Sequence, residues 1–97
     1  MKTFNAKRRA REFVRAYESE ERVLWVRSLP SVVSGRGPCE NAHFKSRGAG
    51  GTSADIVPLT ALEHGELHAI GPTSFQAKYH VDLKAEAARI QELWLAR

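Results

Sequence analysis

Cysteine is almost absent from this 97-residue chain, and Cys39 stands alone. One thiol excludes a disulfide within the chain and any zinc site built from several thiolates of the same chain. It makes a reducing, cytosolic compartment the expected setting. Long apolar runs are also missing, and none approaches the ~20 residues that a membrane-spanning helix needs. The first residues, Met1 to Arg9, are basic, but no apolar signal core follows them. A soluble, intracellular protein is expected. There is no internal repeat and no low-complexity segment. The length allows one small domain, which buries only about 60–65% of its unfolded surface, so the core must be modest.

The charge is not balanced. Fifteen Lys+Arg oppose eleven Asp+Glu, giving +4 and a pI near 9.6. Such a chain suits an anionic partner. Much of the excess lies at 1–18, where 6–18 predicts a basic helix with Lys7, Arg8, Arg9, Arg11 and Arg15 around a narrow stripe of Phe13, Val14 and Tyr17. Residues 19–97 then form the main body. Ser19 is a plausible N-cap for a helix whose core face is Val23 to Val26 and which ends at Leu29-Pro30. Glycines and Pro38 punctuate 31–55, so two short strands around a loop are expected there, with Val32-Val33 and Ala42 to Phe44 as candidates. Ile56 to Leu59 opens the next element. Helices are predicted from Thr60 to about Ala69, closed by Gly71-Pro72, and from about Thr73 to Lys78. Asp82 caps a last helix whose apolar residues Leu83, Ala87, Ile90 and Trp94 recur at spacings of 4, 3 and 4. The fold class is therefore α+β, with helices flanking a short hairpin.

Three of the four histidines could carry chemistry. His64 and His68 lie four apart on a predicted helix and share a face, close enough to hold one metal ion. His43 ends a predicted strand before a basic, glycine-rich loop, 45–51, which lacks P-loop spacing but brings Lys45 and Arg47 within reach of a phosphate. A histidine beside a metal is a natural general base for water. Cys39 and His80 read as a small loop or strand residue and a surface residue.

Order and combination sharpen this pattern. Glu40-Asn41-Ala42-His43, then Gly48-Ala49-Gly50-Gly51, then Asp55-Ile56-Val57-Pro58-Leu59, then His64-Gly65-Glu66-Leu67-His68 resembles the HNH endonucleases of the ββα-metal (His-Me finger) class, especially small phage and prophage proteins. The likeness covers roughly 18–95. It implies a small ββα-metal core at 19–97 with flanking N- and C-terminal helices. It also implies a DNA endonuclease or nickase, in which His43 is the general base and Asp55 stands where the family carries the Asn that orients that base. His64 and His68 would hold one divalent cation, Mg²⁺, Mn²⁺, Ni²⁺ or Zn²⁺. The implied partner is double-stranded DNA, contacted by Lys45, Arg47, Arg8, Arg9 and Arg11 with little sequence specificity, in the cytoplasm of a bacterial host. The alternative is a non-catalytic nucleic-acid-binding protein on a degenerate HNH scaffold. Many relatives also carry a structural zinc. Its four positions here are Ser31, Ser34, Thr60 and Glu63; Ser and Thr hydroxyls are poor zinc ligands, and Glu63 alone could not hold the ion. A hydrogen-bonded cluster of these four is expected in place of that metal.

Overall fold

A computed structural model of the chain describes residues 20–44 and 56–97. The described elements are α1 (Glu20–Arg27), β1 (Glu40–His43), β2 (Ile56–Leu59), α2 (Ala61–Tyr79) and α3 (Leu83–Ala96). The class is α+β, with one two-stranded antiparallel sheet among the described residues. The basic helix predicted at 6–18, together with Lys45, Arg47 and Asp55, lies outside the described residues.

The sheet pairs Glu40 with Leu59, Asn41 with Pro58, Ala42 with Val57 and His43 with Ile56. All four residues of β2 are buried. Such an unbroken apolar strand belongs where both faces are covered, and α1, α2 and α3 all pack against it. Pro58 carries no N–H, so it can sit only where β1 does not need that donor. Its carbonyl points away from β1 and accepts the Val32 N–H at 3.2 Å. Val32 and Val33 are therefore not a strand, as their composition suggested. They belong to a turn that meets β2 through this backbone bond and packs its two valines against the core. The turn closes on itself through Ser31 N–H to Arg36 O and Gly35 N–H to Ser31 O, both at 2.9 Å.

Helix α1 departs from expectation in the side it buries. Four consecutive apolar residues spread around a helix at 100° per step, so Val23 to Val26 cannot all face inward. Val26 and Arg22, one turn apart, are the buried pair, while Leu24 is 55% exposed. The fully buried Arg22 donates from a terminal guanidinium nitrogen to Gln91 Oε1 of α3 at 2.7 Å. The predicted stripe of α3 holds. Leu83, Ala87 and Ile90 are buried, and Trp94 packs on Trp25 of α1 with ring centroids 5.3 Å apart. Asp82 caps α3 as expected, accepting the Ala85 N–H at 3.0 Å.

The two helices predicted on either side of Gly71-Pro72 run as one element, α2, broken at Gly71 (φ 85, ψ 161). Glu66, before the break, accepts hydrogen bonds from Lys78 Nζ and Tyr79 Oη beyond it. That pair of contacts ties the two halves together and holds the Glu66 carboxyl below the usual glutamate range. His80 ends α2 in the left-handed region (φ 54), its N–H bonded to Gln76 O. It is exposed, as expected for a surface residue, and also serves as a helix cap.

Candidate metal centre

The start of α2 builds the site. Thr60 is the N-cap, and Glu63 stands at the third helical position, so their side chains form a complete capping box. Glu63 N–H donates to Thr60 Oγ1 at 3.3 Å, and Thr60 N–H donates to Glu63 Oε1 at 2.9 Å. The same Oε1 accepts the Ser31 hydroxyl at 2.6 Å. Ser31 Oγ in turn accepts the N–H groups of Val33 and Ser34 at 3.0 and 3.1 Å. Burial pushes the Glu63 carboxyl up. Hydrogen bonds from Ser31, Ser34 and Thr60 outweigh this and leave it below the ordinary range. Ser31, Ser34, Thr60 and Glu63 thus meet as one polar cluster that clasps the 31–36 turn to the first turn of α2. Cys39 lies against this cluster. It is buried and donates to Arg36 O at 3.3 Å. Burial, and then the negative charge of Glu63, push its thiol up.

With its N-terminus fixed, α2 presents His64 and His68 on one face. Their Nε2 atoms lie 3.2 Å apart, with ring centroids at 4.8 Å. Two donors at that separation, each bonded at about 2.0–2.1 Å, subtend about 100° at a shared ion, between the tetrahedral and octahedral angles. The donor pair fits a small divalent cation. Nδ1 of His64 points the other way and lies 2.8 Å from Glu40 Oε1 on β1. Leu67, 3% exposed, anchors this stretch of α2 in the core.

A cleft of about 260 Å³ adjoins the pair, lined by His43, Phe44, Leu67, His68, Gly71 and Pro72. The break at Gly71-Pro72 forms one wall. His43 closes β1 and is half-buried. The fold therefore brings His64 and His68 into contact and sets His43 and His68 on one cleft. Asp55, Lys45, Arg47, Arg8, Arg9 and Arg11 lie outside the described residues. Among the described residues, no group of three or more His, Cys, Asp or Glu side chains converges as a metal cluster. No described helix is long and apolar enough to cross a membrane.

Sequence reasoning gave Glu40 no role. Its position follows from the hairpin register. Glu40 lies opposite Leu59, two residues before α2 begins, so its carboxylate meets the first turn of that helix. The capping box was legible as Thr60-x-x-Glu63. In comparisons with known proteins, no family model, no curated protein and no solved structure matches the chain.

Proposed function

We propose that the chain is a metal-dependent phosphodiesterase of the HNH, ββα-metal type, an endonuclease or nickase on double-stranded DNA. One observation carries this reading: the Nε2 atoms of His64 and His68 converge to 3.2 Å beside a cleft that also holds His43. Residues four apart on a helix share a face, and the common aim of these two nitrogens offers a divalent cation two imidazole donors at once. Three further features support it. His43 ends the first strand of a hairpin, and a helix follows the second, the order the resemblance implies. Ile56, which follows Asp55 in the chain, is the register partner of His43. The net charge of +4 suits a polyanion.

In this reading His64 and His68 hold the cation, which when bound neutralises charge on the scissile phosphate and the leaving 3′ oxygen. His43 accepts a proton from the attacking water as its oxygen bonds to phosphorus. The bond from phosphorus to the 3′ oxygen breaks, and that oxygen takes up a proton from solvent. By the resemblance, Asp55 would orient the base by accepting its ring N–H. Lys45, Arg47, Arg8, Arg9 and Arg11 contact backbone phosphates without reading bases.

The second reading, a non-catalytic nucleic-acid binder on the same scaffold, is favoured by the small donor set, because no third ligand joins the imidazole pair among the described residues. A plasmid-nicking assay with Mg²⁺, Mn²⁺, Ni²⁺ or Zn²⁺ separates the two. Nicking by the wild type that His43→Ala abolishes is the expected result. Nicking that survives the substitution rejects His43 as base. Salt-dependent DNA binding without nicking under any metal selects the second reading.

A further inference from the structure

Glu40 occupies the first position of β1 with a side chain 54% exposed, yet its Oε1 is 2.8 Å from Nδ1 of His64. An ionised carboxylate can only accept a hydrogen bond. The nitrogen facing it must carry the proton, and in a neutral ring this leaves Nε2 of His64 with a bare lone pair. That lone pair is directed at Nε2 of His68, 3.2 Å away. The polarity of the whole chain of contacts follows. His68 Nε2–H donates to His64 Nε2, and His64 Nδ1–H donates to Glu40.

We propose that Glu40 is a positioning residue of the imidazole pair: it locks His64 in the Nδ1–H tautomer, aims its Nε2 lone pair at the point shared with His68, and thereby raises the affinity of the pair for a divalent cation. This rests on the metal-binding reading of His64 and His68 and deepens it. The physical reason is pre-organisation. A histidine ring without such a partner divides its time between two tautomers and two ring orientations, and only one of the four combinations presents the needed lone pair. A carboxylate on the far nitrogen selects that one and makes the near nitrogen a better donor. The hairpin supplies it from a different element, so the ring is held between β1 and α2 instead of by its own helix. A cation entering the site replaces one hydrogen bond, and His68 gives up its Nε2 proton to its own Nδ1 or to solvent.

The test uses the full chain in four forms: wild type, Glu40→Gln, Glu40→Ala and His64→Ala. Long-range nitrogen–proton spectra of histidine-labelled, metal-free protein read the tautomer of His64, with His64→Ala assigning its signals. Calorimetric titration with Zn²⁺ alone, and with Ni²⁺ alone, reads affinity. Wild type is expected to show Nδ1–H. Glu40→Ala is expected to show an Nε2–H or mixed population and to bind the ion about 10- to 100-fold more weakly. Glu40→Gln keeps an acceptor oxygen and is expected to restore most of both. Unfolding midpoints should agree among wild type and the two Glu40 variants, since an exposed position contributes little to folding. An Nε2–H tautomer in the wild type, or Glu40→Ala with unchanged tautomer and affinity, overturns the proposal. A wild type that takes up no cation while its tautomer still depends on Glu40 overturns the metal-affinity role and the nuclease reading together. Wild-type uptake that Glu40→Ala leaves intact overturns only the role of Glu40.

Discussion

A serine hydroxyl can donate once and accept twice, and Ser31 does all three, giving its proton to Glu63 and taking the N–H groups of Val33 and Ser34. Because Ser31 is 5% exposed, water has little access to replace these partners. Ser31→Ala is therefore expected to destabilise the fold by about 1–3 kcal/mol, the usual penalty for stranding buried polar groups, measured by urea unfolding. The clasp also has a pH signature. The folded-state carboxyl of Glu63 lies below its unfolded value of about 4.3. Below that value the unfolded chain binds the extra proton. The contribution of Glu63 is thus fully present above the unfolded value and is lost as pH falls through the lower folded value. Unfolding midpoints taken from about pH 6 down to about pH 3 should decline, and Ser31→Ala should flatten the decline by removing one of the bonds that depress the group. An equally steep decline in the variant would contradict the clasp. The membership of this cluster followed from the resemblance, which implies a zinc site at these four positions where this chain carries Ser31, Ser34, Thr60 and Glu63. The bond pattern did not, because only the closed turn at 31–36 brings Ser31 against the start of α2.

Two glycines show how differently one residue type acts within α2. Gly71 has φ 85 and ψ 161, a region that only glycine occupies readily, and it precedes Pro72, which supplies a fixed φ for the first position of the second helical segment. No neighbour lies within 4 Å of where its Cβ would project. Any cost of Gly71→Ala is therefore backbone strain and not a clash. A loss of about 1–3 kcal/mol is expected in thermal or urea unfolding. Gly65 is helical, exposed and equally open. Gly65→Ala should instead stabilise by about 0.5–1 kcal/mol, by narrowing the unfolded ensemble and restoring helix propensity. If both substitutions shift stability in the same direction, the break at Gly71 is not what shapes α2. The break was marked in the sequence by Gly71-Pro72. That the two segments stay joined was not, since the tie is Glu66 to Lys78 and Tyr79, thirteen residues apart at most. The strand error at Val32-Val33 has a comparable cause. β-branched pairs suit strands, but at the edge of β2 away from β1 the residue facing Val32 is Pro58, which accepts the Val32 N–H and has no N–H to return.

At the scale of the molecule, a small core makes each large side chain decisive. Phe75 lies beyond the break in α2, is fully buried, and packs against Tyr79 in a tilted arrangement with centroids 4.9 Å apart. Phe75→Ala is expected to cost about 3–5 kcal/mol, a large share of the about 5–15 kcal/mol available to a small domain. The variant should have a markedly lower urea midpoint, and it should loosen the cleft at His43 and His68 because Gly71 and Pro72 form its wall. Unchanged stability would mean that the second half of α2 is not part of the cooperative unit. At the other end of the core, α1 and α3 are joined by Trp25 on Trp94, by Arg22 on Gln91, and by Arg97 with Glu21 at 3.3 Å. By itself, the sequence determined the helical periods, the caps at Thr60 and Asp82, the break at Gly71-Pro72, and the shared face of His64 and His68, because these are local rules of spacing and backbone geometry. Only the tertiary structure decided that Arg22 would be buried, that Ser31 would close on Glu63, and that Glu40 would reach His64. Each of those contacts joins residues from different elements, and nothing in the spacing of one segment fixes how another is laid against it. The scarcity of cysteine removed one way of fastening the 31–36 turn to α2, and the packing of the hairpin against α2 supplied a hydrogen-bonded one.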